Sequence, residues 1–228
     1  MKFVNHPFIF VFFICLIALS CAPRAKKVIS PAQAWAIDVA NATEASSTLV
    51  AEFVARELSL GPKQKEKFVN DYVVEREAVV KRQAEARKTG NRQDFMLVIR
   101  KNEEGFLRVM KVNLNPDQIK IAINILRPDG MLGGSMTGSL DGSVNSLIRG
   151  KVAKNKIEKA LPILVTYHQQ FAALNAKALS EGISPDDRMD KVIELRVATA
   201  KKLVPIIGEE AADFWLDLRT RKGISIKK

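Results

Sequence analysis

Few residues of this 228-residue chain can do chemistry beyond carrying charge. Paired carboxylates occur at Glu103-Glu104, Asp186-Asp187 and Glu209-Glu210, the residue type of general acid–base catalysis. Sequence neighbours do not face each other on a helix, so these pairs read as cap and solvent-facing charges. His168 precedes Gln169-Gln170, which is no ligand motif, and beyond the first 20 residues there is no second His and only one Cys to build a soft metal site. It reads as a surface or half-buried helix residue. Residues 130–142 are Gly-rich but lack the Gly-Lys-Ser/Thr ending of a phosphate loop. No Ser, His and Asp share a recognisable context. The expectation is a binding protein, not an enzyme, with no metal and no cofactor.

The chemistry that remains is cationic. Lys and Arg number 36 against 25 Asp and Glu, for a net charge of +11. Such an excess points to acidic partners: anionic lipid, acidic unfolded polypeptide or cell-wall polymer. Nucleic acid is the usual candidate for so basic a chain, but the N-terminus argues against it. Lys2 precedes an apolar run of 12 residues, 8–19, too short to span a bilayer and the right length for a signal-peptide core. Ala18-Leu19-Ser20-Cys21 then reads as a lipobox, in which Cys21 is lipidated and becomes the new N-terminus. Ala18-x-Ser20 also suits an ordinary signal peptidase, which would leave Cys21 free. Arg24, Lys26 and Lys27 follow, either as contacts to anionic head groups or as a solvated tether. Both cleavage routes imply the bacterial envelope, and with the lipobox the expectation is an outer-membrane lipoprotein facing the periplasm, although the sequence does not choose between inner and outer membrane. Cys15 leaves with the signal, so no internal disulfide is available and the core alone must hold the fold.

Positioning falls to helices. One phrase recurs four times: Ile29-Ser30-Pro31-Ala32-Gln33, Leu60-Gly61-Pro62-Lys63-Gln64, Leu114-Asn115-Pro116-Asp117-Gln118 and Ile183-Ser184-Pro185-Asp186-Asp187. Ser, Asn or Gly suits the N-cap, and Pro suits the first helical position, where its missing donor has no partner to lose. Gln three residues on can close a capping box. Between these starts run helical stripes: Trp35, Val39, Leu49, Phe53 and Val54; Phe68, Val69, Tyr72, Val73, Val79, Val80 and Ala84; Phe95, Val98, Ile99, Phe106, Val109 and Met110; Ile119, Ala122, Ile123 and Leu126. Later stripes use Met189, Val192, Ile193, Val197, Ala200, Leu203 and Val204, then Ala211, Phe214, Trp215 and Leu218. The fold class is all-α: long amphipathic helices in a thin bundle or cradle.

The expected organisation is a signal peptide (1–20), a lipidated tether (21–29), a helical unit (30–128), a Gly/Ser-rich linker (129–150), a second helical unit (151–222) and a basic tail (223–228). The linker rests on Gly130, Gly133, Gly134, Gly138, Gly142 and Gly150. The two helical units read as distant copies, since Tyr72 to Asn115 and Tyr167 to Gly208 enclose nearly equal lengths of similar pattern. If so, one chain builds what two copies of a shorter protein would.

The phrases at Leu60-Gly61-Pro62-x-Gln64 and Leu114-Asn115-Pro116-x-Gln118 resemble the Leu-Thr-Pro-x-Gln signature of the Spy/CpxP family of periplasmic proteins. That family carries the signature twice, separated by two charged amphipathic helices. The resemblance covers about residues 32–126, and more faintly 157–219. Gly61 and Asn115 stand where the family has Thr, and the second half has only Ser184-Pro185-Asp186-Asp187 and Ile207-Gly208-Glu209-Glu210 at the matching places. Family members are commonly shorter and not lipidated. The resemblance implies a thin cradle of curved helices, usually a homodimer, and ATP-independent holding of unfolded clients on a basic face; some members report envelope stress to a sensor kinase. It assigns Leu60, Gly61, Pro62, Gln64, Leu114, Asn115, Pro116 and Gln118 an architectural role.

The expected function is therefore an envelope-anchored holdase. Lys63, Lys65, Lys67, Arg76, Lys81, Arg82, Arg100, Lys101 and Arg108 would attract acidic client segments, which apolar side chains then hold. The alternatives are a structural or stress-regulatory lipoprotein with one folded partner, or an adaptor for cell wall or anionic lipid. Either a monomer or a homodimer fits. Any single Lys or Arg is more simply a solubilising charge, so the expectation rests on their sum.

Overall fold

The computed structural model describes residues 31–129 and 139–220. The chain divides into two units, Met1–Ile37 and Asp38–Lys228, and only the second is described at side-chain level. Every element among the described residues is helical: α1 Pro31–Glu57, α2 Pro62–Thr89, α3 Arg92–Asn113, α4 Pro116–Leu126, α5 Leu140–Arg149, α6 Lys154–Ser180, α7 Pro185–Ile207 and α8 Glu209–Thr220. The signal peptide, the tether with Cys21, the Gly-rich residues 130–138 and the basic tail lie outside the described residues. Among those described, no helix is long and apolar enough to cross a membrane.

The recurrent Pro phrases open helices at Pro31, Pro62, Pro116 and Pro185. Asn115 forms the full capping box: its Oδ1 accepts from the Gln118 N–H at 2.9 Å, and the Asn115 N–H donates to Gln118 Oε1 at 3.0 Å. Ser184 Oγ accepts from the Asp187 N–H at 3.1 Å. Gly61 has no side chain to cap with, and Gln64 departs from the expected box: its Nε2 donates 2.7 Å to the Asn113 carbonyl. The second helix start is thereby clipped to the end of α3. Gly90, at φ 64°, closes α2 in the left-handed conformation that glycine adopts without strain.

Residues 49–55 of α1 are buried on all sides except at Glu52, as a helix apolar all round must be. They share one hydrophobic core with Phe68, Tyr72, Phe106 and Met110 from α2 and α3, Ile125 from α4, Leu140 and Leu147 from α5, Leu161 and Leu164 from α6, Leu203 from α7 and Trp215 from α8. α2 packs along α3, α6 along α7, and α7 along α8, while α5 lies against α4, α6 and α8. The two halves repeat in length: α2, α3 and α4 have 28, 22 and 11 residues, and α6, α7 and α8 have 27, 23 and 12.

Two expectations need correction. The linker assigned to 129–150 contains α5, whose Leu140, Val144 and Leu147 are fully buried. Ser139 caps it through the Gly142 N–H, and the apolar spacing at 140, 144, 147 and 148 is helical; Gly142 and Gly150 masked that spacing because they fall at its start and just past its end. Consequently the described part of Asp38–Lys228 has one core and not two joined by a linker. At side-chain level, Met189 and Phe214, placed inward by periodicity, are more than a third exposed, and Ala84 is exposed, while the side chains of Trp35, Val39 and Leu218 lie outside those described. Phe214 lies instead against Gly150, where an added Cβ would approach its ring to 3.0 Å.

Leu147→Ala separates a core helix from a linker. Truncating a fully buried Leu costs about 2–5 kcal/mol, whereas a linker position changes stability by about 0.5 kcal/mol or less. Urea denaturation of the variant should show the larger loss.

Candidate functional site

α2 carries three successive polar stations that fix how the α2–α3 hairpin presents its cations. At the base, Lys67 Nζ donates to Asp71 Oδ2 (2.8 Å) and Asn113 Oδ1 (2.9 Å), and Asn113 Nδ2 donates to Asp71 Oδ2 (2.8 Å). This closed triangle holds the Asp71 carboxyl below the usual range, chiefly through the bonds from Lys67 and Asn113. Its contribution is present above the unfolded carboxylate pKa and is lost as pH falls through the lowered folded value.

One turn on, Tyr72 and Arg76 turn inward to Asp141 on α5. The Tyr72 hydroxyl donates to Asp141 Oδ2 at 2.7 Å. Arg76 Nε approaches Asp141 Oδ1 to 3.4 Å with both side chains 3% exposed; this is an ion pair without hydrogen-bond alignment, and Arg76 Nη2 also lacks an acceptor among the described residues. The Arg76 guanidinium lies 5.3 Å from the centroid of the Phe106 ring. A cavity of about 10 Å³ adjoins these groups, lined also by Arg127 and Ser139, at the lower limit for one water molecule. Burial, reinforced by the Asp141 charge, raises the Tyr72 pKa well above that of an ordinary phenol. Burial likewise lowers that of Arg127, against the opposing pull of Asp129.

The third station is Glu75, whose buried carboxylate pairs with Arg82 and, at 3.2 Å, with Arg108. Arg82 Nε also donates to Asn102 Oδ1 at 2.8 Å. Gly105 makes room for this cluster: a Cβ there would lie 2.1 Å from Glu75 Oε1. Beyond the third station lies the distal half of the hairpin. No residue of 92–101 is buried. Met96 and Leu97 are about half exposed in a depression of about 350 Å³ shared with Arg92, Gln93 and Arg100.

The cations expected to bind clients therefore divide. Lys63, Lys65 and Lys67 are exposed near the hairpin base, with Lys67 engaged by Asp71 and Asn113. Lys81, Arg100 and Lys101 are exposed on the distal part. Arg82 is half-buried, and Arg108 is exposed while tied to Glu75. Arg76 is the correction: it is buried and paired with Asp141, so it presents no charge to a client. It occupies the apolar stripe four residues after Tyr72, the signal that would have removed it from the surface set. Met96, Leu97 and Arg92 were missed. Their signal was the uninterrupted apolar run 95–99, which exceeds one face of a helix.

Elsewhere, Ser143 Oγ lies 2.9 Å from His168 Nε2 with both residues buried. This pair ties α5 to α6 away from solvent, so His168 is a core residue and not the surface or half-buried one expected. Arg196 Nε donates to the Tyr167 hydroxyl at 3.2 Å, joining α7 to α6. No group of three metal-ligating side chains gathers among the described residues. A groove of about 750 Å³ runs between α4, α6 and α7, with Phe171, Leu179, Met189 and Val192 beside Arg188 and Arg196.

Two experiments check the buried stations. Because the folded Tyr72 pKa is raised, its contribution to stability is complete below the unfolded phenol pKa, about 10, and is lost as pH rises toward the folded value. In a Tyr167→Phe chain, which keeps Tyr72 as the one tyrosine, phenolate absorbance should appear well above pH 10 and together with unfolding. Normal titration in the folded protein would contradict the Asp141 contact. Gly105→Ala should destabilise the protein by about 1–3 kcal/mol, because the Cβ displaces a buried, paired carboxylate. In a Glu75→Ala background the same change should stabilise by up to about 1 kcal/mol, the helix-propensity gain of Ala over Gly; a double-mutant cycle reads the difference.

No protein-family model, curated protein or solved structure matches this chain.

Proposed function

We propose that this chain is an envelope-anchored, ATP-independent holdase that binds unfolded or acidic polypeptides through a basic, partly apolar helical surface. One observation carries the reading: Arg92, Arg100 and Lys101 surround half-exposed Met96 and Leu97 on the outer face of α3. Cations bring an acidic segment in at long range, and apolar contact then retains it. Arg108 and Lys111 extend the charge along the same helix. The resemblance of the Leu60 and Leu114 phrases to the Spy/CpxP signature supports the same class of activity, and the lipobox-like Ala18-Leu19-Ser20-Cys21 supports the anchoring. No step needs a nucleotide, metal or covalent intermediate.

A second reading, one dedicated folded partner, draws on the groove between α4, α6 and α7, where Leu179 is 80% exposed. It requires saturable one-to-one binding and no protection of unrelated clients.

Aggregation of several chemically denatured clients, with the chain beginning at Ala22 and without ATP, tests the first reading. Protection of more than one client is expected. It should weaken severalfold between 0.1 M and 1 M salt, as the screening length drops from about 10 Å to about 3 Å. Salt-independent protection would remove the electrostatic mechanism. Absence of protection would leave the dedicated-partner reading.

A further inference from the structure

We infer that the outer face of the first half of α3 is a docking site for an acidic amphipathic helix, because a two-helix section of the hairpin there leaves an apolar strip framed by cations uncovered. The inference deepens the proposed function by naming the kind of segment held on that surface.

The run Phe95-Met96-Leu97-Val98-Ile99 is longer than the 3.6 residues of one helical turn, so it surrounds the helix. A single neighbouring helix can cover only part of it. α2 is the helix that packs along α3, and the outcome is visible in burial. Phe95, Val98 and Ile99 are only half-buried, and Met96 and Leu97 face out. The contrast lies within the same helix: Phe106, Val109 and Met110, nearer the core, are buried. Among the described residues the distal section is a pair of helices with room for a third.

The spacing and charge describe the third helix. Arg92, Met96 and Arg100 follow at four-residue intervals, and Gln93, Leu97 and Lys101 form the adjacent row. Each row therefore runs along the helix axis with an apolar centre and a cationic end. A helix with an apolar ridge laid along this strip would cover Met96 and Leu97 and complete the burial of their neighbours. Acidic side chains on its flanks would meet Arg92, Arg100 and Lys101. Residues 81–101 carry seven basic and two acidic side chains, which disfavours a basic helix in the same place. The turn between α2 and α3, Gly90-Asn91, offers no apolar wedge. That distinguishes the strip from a hairpin end shaped to enter a bilayer.

The test uses the full chain and a fluorescein-labelled 21-residue peptide with Leu at heptad positions a and d and mainly Glu elsewhere, followed by anisotropy. Binding is expected with a gain in peptide helicity. A Lys-for-Glu peptide of the same pattern should bind at least tenfold more weakly. Met96→Gln with Leu97→Gln, and separately Arg92→Glu with Arg100→Glu, should each weaken the Glu peptide at least tenfold. Lys201→Glu, at an exposed position of α7, should not. Circular dichroism of each variant establishes that it is folded. Equal affinity for both peptides, or affinity unchanged in the two α3 variants, overturns the inference. So does association with phosphatidylglycerol vesicles without peptide binding. Peptide binding without aggregation suppression would sink the holdase reading and leave the docking site standing. Aggregation suppression by a chain that does not bind the Glu peptide at all, and that persists in both α3 variants, would do the reverse.

Discussion

The carboxylate of Asp141 is removed from water, and a buried charge is tolerated only where donors and cations meet it. Tyr72 and Arg76 on α2 supply them, across 69 residues of sequence in the case of Tyr72. This one contact sets much else. It holds the first turn of α5 against α2. It also sets the rotation of α2 about its own axis, because helical geometry turns Val74 and Glu77 outward once Tyr72 and Arg76 face in. The rings of Phe68 and Phe106 flank Tyr72 at 5.9 and 5.5 Å between centroids, so α3 is oriented by the same centre.

From this anchor the α2–α3 hairpin loses burial toward its far end. Gln64, Lys67 and Asp71 clamp the base through Asn113; Glu75 and Gly105 permit a close middle crossing; beyond Asn102, toward Arg92, no α3 side chain is buried. Local stability follows buried contact, so the firmly held base carries a distal section less constrained by packing. Such a gradient suits a surface that gains a partner. The distal section can accept new contacts without disturbing the core that α1, α5, α6 and α8 share.

Much of the architecture was legible from local chemistry. Pro after a capping residue marked four helix starts, and the full box at Asn115 is as local as an interaction can be. The lost portion had a physical cause in each case. α5 was concealed by counting glycines across 129–150, although Ser139 and the spacing of Leu140, Val144 and Leu147 describe a short capped helix. Gln64 fits a capping box in sequence, yet with no side-chain oxygen at Gly61 to reciprocate, its amide goes to the Asn113 carbonyl. Arg76 was grouped with surface cations because Arg is usually exposed; its buried partner lies on another helix. Met96 and Leu97 were left out because a stripe was sought where the run 95–99 covers every face.

By itself the amino-acid sequence determined the helical class, the four Pro-marked starts, many of the core positions and the cationic excess. These depend on interactions within a few residues or on composition. Tertiary structure alone decided which cations reach solvent, that Glu75 rests over Gly105, that α5 belongs to the core, and that the apolar strip of α3 lacks a covering helix among the described residues. Each is a relation between segments distant in the chain. Local propensity carries no information about it, because burial and pairing exist only once the helices have packed.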